Sequence, residues 1–197
     1  MALDPYGPCP CGSGKKFKWC CQPIYAGINT ALEQDANGQH EAALKTIDAV
    51  TREHEGNPEA WGQKAKLLYA NGKAEEAENA LQKAFDLNRN YPYGLFLRAM
   101  FRYHEGEVPG ALLLARRAAD AYDPAAHEYL AQVYWIIFEC ELKLNRPVAA
   151  RAALRLVTHY QPAGEEARSA FDTLFGEQSR LPAAARREPP AGGLSRA

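Results

Sequence analysis

The chain has 197 residues, which is enough for one ordinary domain with a small appendage, and its 47% apolar content can form a core. Its net charge of −1 is unevenly distributed, because residues 1–23 and 177–197 each carry +2 and the body between them carries −5. The acidic charge of this central region argues against its binding along a nucleic acid. The two basic ends remain candidate contacts for acidic partners.

The N-terminus lacks the apolar segment of a secretory signal, and the longest apolar run, residues 133–138, is too short to span a membrane. These two features predict a cytoplasmic protein, in which thiols stay reduced. Cysteines in that compartment are more often metal ligands than disulfides.

Four of the five cysteines lie within thirteen residues: Cys9, Cys11, Cys20 and Cys21. Two close pairs of thiols joined by a short loop provide the four soft ligands that Zn²⁺ binds as a tetrahedron. Gly12 and Gly14 permit the left-handed backbone angles that so tight a loop requires. A segment this short needs a metal ion or disulfides in order to fold, so we predict a Zn²⁺ site, with two disulfides as the alternative. The fifth cysteine, Cys140, is predicted to be a small core residue.

This N-terminal segment resembles the SEC-C motif, the zinc-binding tail of the preprotein translocase ATPase SecA. The family pattern, Cys-x-Cys-x-Ser-Gly followed by a basic and aromatic stretch and then Cys with His or Cys, fits residues 9–21. The resemblance implies a docking module, residues 1–23, that binds the export chaperone SecB or the ribosome. We expect its loop to make that contact through the following side chains: Lys15, Lys16, Phe17, Lys18 and Trp19.

After residue 24, glycine recurs every 34 residues, at Gly38, Gly72 and Gly106, and Asn145 takes the corresponding place in a fourth unit. Alanines recur with the same period. This pattern predicts pairs of antiparallel helices, with alanine where the helices cross and a left-handed turn ending the first helix of each pair. One pair alone cannot bury its apolar face, so the pairs must stack.

The period and its residues resemble tetratricopeptide repeats over about residues 24–162. The resemblance implies an all-α helical-repeat solenoid of about four helix pairs, with a longer first helix in the fourth pair, from about 125 to 144. Residues 163–176 are predicted to form a closing helix, because apolar side chains recur on one face. Residues 177–197 are rich in Ala, Pro, Gly and Arg, and they are predicted to be disordered.

Tetratricopeptide arrays bind peptides or helices in the concave groove lined by the first helix of each pair. Alignment on the glycines places six side chains on that face: Lys66, Tyr69, Tyr93, Phe96, Met100 and Tyr103. An apolar and aromatic lining with a polar rim is typical of a protein-binding surface. The alternative is that some of these aromatic side chains form the core between repeats.

Catalytic patterns are not found in the sequence. The five histidines are scattered over different predicted helices, and no nucleophile is paired with a base. The run from Gly12 to Lys15 lacks the spacing of a phosphate-binding loop. We therefore predict a non-enzymatic protein.

The two predicted modules together indicate a zinc-binding adaptor that docks through its N-terminal segment and holds a second protein in the repeat groove. Two alternatives remain open. The basic, aromatic zinc loop pairs phosphate contacts with base stacking if the partner is RNA. The zinc segment instead has a structural role if it caps the first repeat, and the two modules are then one folding unit.

Overall fold

The structure is a computed structural model that describes residues 4–176, so the predicted disordered tail, residues 177–197, lies outside the described residues. Within this range the chain forms a short 3₁₀ turn, Phe17–Trp19, followed by nine α-helices. In chain order the helices are α1 (Gln22–Ala36), α2 (His40–Glu53), α3 (Pro58–Ala70), α4 (Ala74–Leu87), α5 (Pro92–His104), α6 (Val108–Ala121), α7 (His127–Lys143), α8 (Pro147–Tyr160) and α9 (Glu165–Phe175).

The helices pack as consecutive pairs, α1 with α2, α3 with α4, α5 with α6 and α7 with α8. The first helices of neighbouring pairs also contact one another, so α1, α3, α5 and α7 form one wall of the molecule. Helix α9 packs against α8 at the C-terminal end of the array. The predicted all-α solenoid of tetratricopeptide type is confirmed.

The turn within each pair has the left-handed conformation that the sequence predicts. The backbone φ is 76° at Gly38, 74° at Gly72, 83° at Gly106 and 56° at Asn145. Each turn is closed by the same hydrogen bond. The amide of the residue that follows the left-handed one donates to the carbonyl five residues before it, as in Lys73 N to Leu68 O at 2.9 Å. The repeat is therefore encoded in backbone geometry as well as in packing.

Alanine is buried wherever the two helices of a pair cross. The predicted alanines are completely inaccessible to solvent: Ala31, Ala43, Ala65, Ala77, Ala99, Ala111 and Ala150. Larger side chains at these positions would force the helices apart, because overpacking a close crossing strains the backbone.

The fourth pair departs from the others because α7 has 17 residues, compared with 13 in α3 and α5. Its apolar run is largely buried, since Val133, Ile136, Ile137 and Phe138 all face the interior. Near its end the buried carboxylate of Glu141 accepts a hydrogen bond from Arg116 of α6 and lies 3.7 Å from Arg146. This ion pair links α7, the first helix of the fourth pair, to α6 of the third pair.

Replacement of Gly72 by alanine is expected to destabilise the fold by about 1 kcal/mol, because an L side chain is disfavoured in the left-handed region. For a chain of this size, that loss lowers the melting temperature by roughly 2–4 °C. Gly56→Ala is the matched control, since Gly56 has no left-handed φ and open space around its Cα. Thermal unfolding followed by circular dichroism measures both variants, and equal melting temperatures would contradict the assignment.

Candidate metal centre and interaction surfaces

The N-terminal segment folds into a small hairpin that brings its two pairs of cysteines together. Pro8 and Lys16 form an antiparallel bridge, and the amide of Cys9 donates to the carbonyl of Lys15 at 2.8 Å. The reversal between them needs two left-handed residues, Gly12 and Gly14, each with φ of 72°. We call residues 4–21 the hook.

The four hook cysteines converge on one point. Their Sγ atoms all lie within 4.8 Å of one another, with 3.5 Å between Cys11 and Cys20 and 3.8 Å between Cys20 and Cys21. A tetrahedron of sulfurs about 2.3 Å from a Zn²⁺ ion has edges of about 3.8 Å, so these separations fit that ion. They are far longer than the bond of about 2.05 Å in a disulfide. The cluster can therefore hold a metal ion.

The protonation of the thiols also fits a cation site. Hydrogen bonds from Cys21 and Cys9 lower the pKa of Cys11, whereas the bond to Cys11 raises the pKa of Cys9. The pKa of Cys21 is raised by the same hydrogen bonds and by burial. One thiolate is thus stabilised by its neighbours, and a divalent cation is what allows all four thiols to ionise together.

The fifth cysteine, Cys140, lies apart from the hook in the interior of α7. Burial raises the pKa of its thiol to about 11, so it stays protonated, as expected for a small core residue. Among residues 4–176, the four hook cysteines are the one group of three or more His, Cys, Asp or Glu side chains that could share a metal ion.

The inner face of the hook is built into the solenoid. Asn57, the N-cap of α3, donates to the carbonyl of Cys20 at 3.3 Å and lies 3.7 Å from the Sγ of Cys21. Asn88, just before α5, donates to the carbonyl of Cys11 at 3.2 Å. Helix α1 begins directly after Cys21. The sequence predicted a boundary after residue 23; in the structure the hook shares one interface with the first three repeats.

Phe17 belongs to this inner face. Its side chain is only 6% exposed, and its ring packs edge-on against Tyr25 of α1, with ring centroids 5.0 Å apart. The expectation that Phe17 contacts a partner is corrected, because its ring is already covered by the repeats.

The outer face of the hook is exposed, basic and aromatic. Trp19 is 64% exposed and Tyr6 is 56% exposed, and their rings meet edge-on. The ammonium of Lys16 lies 5.6 Å from the Trp19 ring centre and 5.9 Å from that of Tyr6, and Lys18 lies 5.0 Å from Tyr6. Lys15 is also exposed. Tyr6 lies outside the motif and was not predicted from the sequence, although its ring contacts both Lys16 and Lys18.

The six predicted groove residues lie on α3 and α5 and differ in exposure. Lys66 is exposed, and Tyr69, Tyr93, Met100 and Tyr103 are half-buried, but Phe96 is only 7% exposed. Tyr69 is stacked on Phe101 with ring centroids 3.8 Å apart, so its ring is partly used in packing between repeats. Lys143 of α7 lies 3.9 Å over the Tyr103 ring.

A buried carboxylate that the sequence analysis missed lies between the hook and the groove. Glu59 is 5% exposed, and it accepts hydrogen bonds of 2.8 Å from both Tyr91 and Gln63. Burial raises the pKa of its carboxyl, and the two hydrogen bonds oppose that rise only in part. A Cβ at Gly62 or Gly94 would collide with the Tyr91 ring, so these two glycines create the slot that lets Tyr91 reach Glu59.

Comparison with known families supports both parts of the chain. The SEC-C motif model matches residues 8–23, and the tetratricopeptide repeat model matches residues 36–101. A UPF0225 protein of Deinococcus radiodurans is 47% identical over 32 residues, which are 16% of this chain and 25% of that protein. Because so little of the relative is matched, its similarity concerns the shared segment alone. The chain thus combines a SEC-C motif with tetratricopeptide repeats.

Solved structures share the fold at low sequence identity. The structure of pilF of Pseudomonas aeruginosa has a TM-score of 0.69 at 15% identity, covering 79% of this chain and 69% of that one. MamA of Desulfovibrio magneticus RS-1 has a TM-score of 0.59 at 15% identity, covering 80% and 86%. The type III secretion chaperone SycD of Yersinia enterocolitica has 0.52 at 18% identity, covering 62% and 95%. In the described part of the chain, no helix is both long and apolar enough to cross a membrane.

The purified protein is expected to contain one Zn²⁺ ion per chain, measured by elemental analysis by mass spectrometry. Cys11→Ser should lose most of this metal, because it removes a buried ligand of a four-sulfur site. Cys140→Ala is the control that should keep it. Equal metal content in the two variants would place the ion elsewhere.

Removal of the metal with a chelator is expected to lower the melting temperature of the helices, because the hook packs on α3 and α5. Asn57→Ala should destabilise the metal-loaded protein by about 1 kcal/mol or more, since it removes a helix cap together with the bond to the hook. Exposed Asn79→Ala on α4 is the control.

The same measurement separates the two roles of Asn57. After metal removal, the effect of Asn57→Ala should shrink to that of the cap alone. If chelation leaves the melting temperature unchanged, the hook and the repeats are independent folding units.

Proposed function

We propose that the protein is a non-catalytic, zinc-binding adaptor that docks through the outer face of its hook and holds a second protein in the repeat groove. The observation that carries the proposal is the two-sided hook. Its thiols and Phe17 face the repeats, while Tyr6, Lys16 and Trp19 face solvent. An exposed tryptophan beside an exposed tyrosine is unusual on a protein without a partner, because these two residue types concentrate at binding hot spots.

The docking partner is an acidic macromolecular surface, and the SEC-C resemblance points to the ribosome or a SecB-like chaperone. Lys15, Lys16 and Lys18 supply the positive charge, and Trp19 supplies apolar area that a partner can cover. Zn²⁺ supplies the cross-link that holds the hairpin closed, while the chain's own residues position the lysines. The proposal places the protein in the cytoplasm, where reduced thiols are available to bind the metal.

The second partner is a peptide or helix held in the groove. Lys66, Met100 and Tyr103 retain accessible surface there, and Lys143 adds a second cation beside Tyr103. The similar structure of SycD is a complex with a peptide of the translocator YopD, which supports peptide binding as a use of this fold. Phe96 contributes through a small pocket of about 260 Å³ that it lines together with Trp135 and Ile136.

Contact with RNA is a second candidate for the hook. Tyr6 and Trp19 offer exposed ring faces, and three lysines lie beside them, which is the combination that stacks bases and neutralises phosphates. RNA binding would weaken steeply with salt in proportion to the phosphates contacted. A purely structural role for the metal is supported by the bonds from Asn57 and Asn88, and it is compatible with docking by the outer face.

The zinc-loaded protein is expected to sediment with purified ribosomes. The double variant Lys16→Glu/Lys18→Glu should bind ribosomes with an affinity lower by about tenfold or more, because it reverses two charges on the outer face. Lys45→Glu/Arg155→Glu, on exposed positions of α2 and α8, is the control of equal charge change.

Two outcomes decide against this docking site. If both double variants sediment equally, the outer face of the hook is not the ribosome contact. If the unaltered protein does not sediment, the ribosome is excluded, and the same pair of variants is then tested for binding to purified SecB.

A further inference from the structure

An open cleft of about 680 Å³ lies where the hook and α1 approach the start of α7. Asp4 and Tyr25 line one side, and Glu128, Tyr129 and Tyr160 line the other. Tyr25 of α1 and Tyr129 of α7 thus line the same cleft from different helices. Side chains of the first and fourth repeats therefore line the same cleft. Asp4 belongs to the hook and accepts a hydrogen bond of 3.0 Å from the amide of Tyr6, so the cleft adjoins the outer face of the hook.

The wall of this cleft continues into buried polar groups. Tyr129 is stacked on Tyr122, with ring centroids 5.3 Å apart and planes 12° from parallel. Tyr122 is 6% exposed, and its hydroxyl is without a hydrogen-bond partner within the described residues. The Oε1 atom of Gln63, beside buried Glu59, is also unpartnered there.

The charge of the cleft is one-sided. Asp4 and Glu128 are exposed at its mouth, and no lysine or arginine is among the residues that line it. His127 also lines it, and its ring packs against Tyr160 with centroids 5.5 Å apart. Tyrosine ring faces carry negative electrostatic potential and attract ammonium and guanidinium groups. Carboxylates and aromatic faces without a local cation are complementary to a positively charged ligand.

We propose that this cleft binds an arginine or lysine side chain of a partner peptide. The cationic group lies against the tyrosine faces, and Asp4 and Glu128 hold it at the mouth. The inference rests on the proposed adaptor function and deepens it, because it assigns a chemistry to one partner segment. It also distinguishes two neighbouring surfaces: the outer face of the hook is basic and takes an acidic surface, whereas the cleft is acidic and takes a basic segment.

The test is a fluorescence anisotropy titration of the zinc-loaded full chain with a labelled peptide, Gly-Ser-Arg-Gly-Arg-Ser-Gly. A second peptide with citrulline for arginine has the same shape without the charge. We expect arginine-dependent binding that weakens about fivefold in Asp4→Asn/Glu128→Gln, because two partly exposed carboxylates each contribute modestly. The control Glu41→Gln/Glu75→Gln removes two exposed carboxylates from the first turns of α2 and α4 and should bind as the unaltered chain does.

Equal binding of the arginine and citrulline peptides, or equal binding by the two double variants, would overturn the inference. Absence of binding in all forms would overturn it as well. Residues 177–197 contain four arginines, so the titration is repeated with Arg186→Gln/Arg187→Gln. Tighter peptide binding by that variant would reveal competition by the chain's own arginines for the same cation site, and it would support the inference.

The outcome is separable from that of the proposed function. If ribosome sedimentation depends on Lys16 and Lys18 while the arginine peptide fails to bind, the cleft assignment is wrong and the adaptor function stands. If the peptide binds but sedimentation does not occur, the cleft stands and the docking partner of the hook is a different one.

Discussion

The packing of the cysteine hairpin on the starts of α3 and α5 is the constraint on which the rest of the structure depends. A hairpin of fewer than twenty residues has too little apolar area to fold by burial alone. Here it gains a second support, because Asn57 and Asn88 donate hydrogen bonds to its backbone from 37 and 77 residues away in the sequence. Asn57 also caps the start of α3, and Asn88 lies at the end of α4, so the hook and the repeats stabilise the same backbone.

The space that Gly62 and Gly94 leave for the Tyr91 ring connects the hook interface with the groove. Two residues after Asn57 lies Glu59, whose carboxylate is held by Tyr91 from the next repeat. Tyr91 fits only because Gly62 and Gly94 leave room for its ring. A buried carboxyl of this kind adds little net stability, but it penalises any arrangement that leaves it unbonded, and so it fixes the register between α3 and α5. The hydrogen bond from Tyr91 to Glu59 thereby joins α5 to the end of α3 that contacts the hook.

The sequence was sufficient for features that recur or that are dictated by short-range chemistry. The 34-residue spacing of Gly38, Gly72 and Gly106 predicted the turns, because a left-handed residue has few alternatives to glycine or asparagine. The cysteine spacing predicted a site for a tetrahedral cation for a similar reason. Phe17 was misassigned because adjacent residues of a tight loop point in opposite directions, and only the position of α1 shows which of them is covered. Tyr6, Glu59 and Asn57 belong to no motif, since their roles arise from contacts between distant segments.

The same contacts bear on how one short chain can serve two partners. If the hook were tethered by a flexible segment, its lysines and the groove would move independently, and binding at one would not affect the other. Cys21 instead leads directly into α1, and its Sγ lies 3.7 Å from Asn57, the N-cap of α3. The candidate metal site therefore lies where two groove helices begin. Loss of the metal would release the hairpin and remove a brace from α3 together. On the proposed function, metal content would therefore act on both surfaces through the same bonds. The proposed adaptor would hold its two partners in a fixed relation only while a metal ion cross-links the thiols.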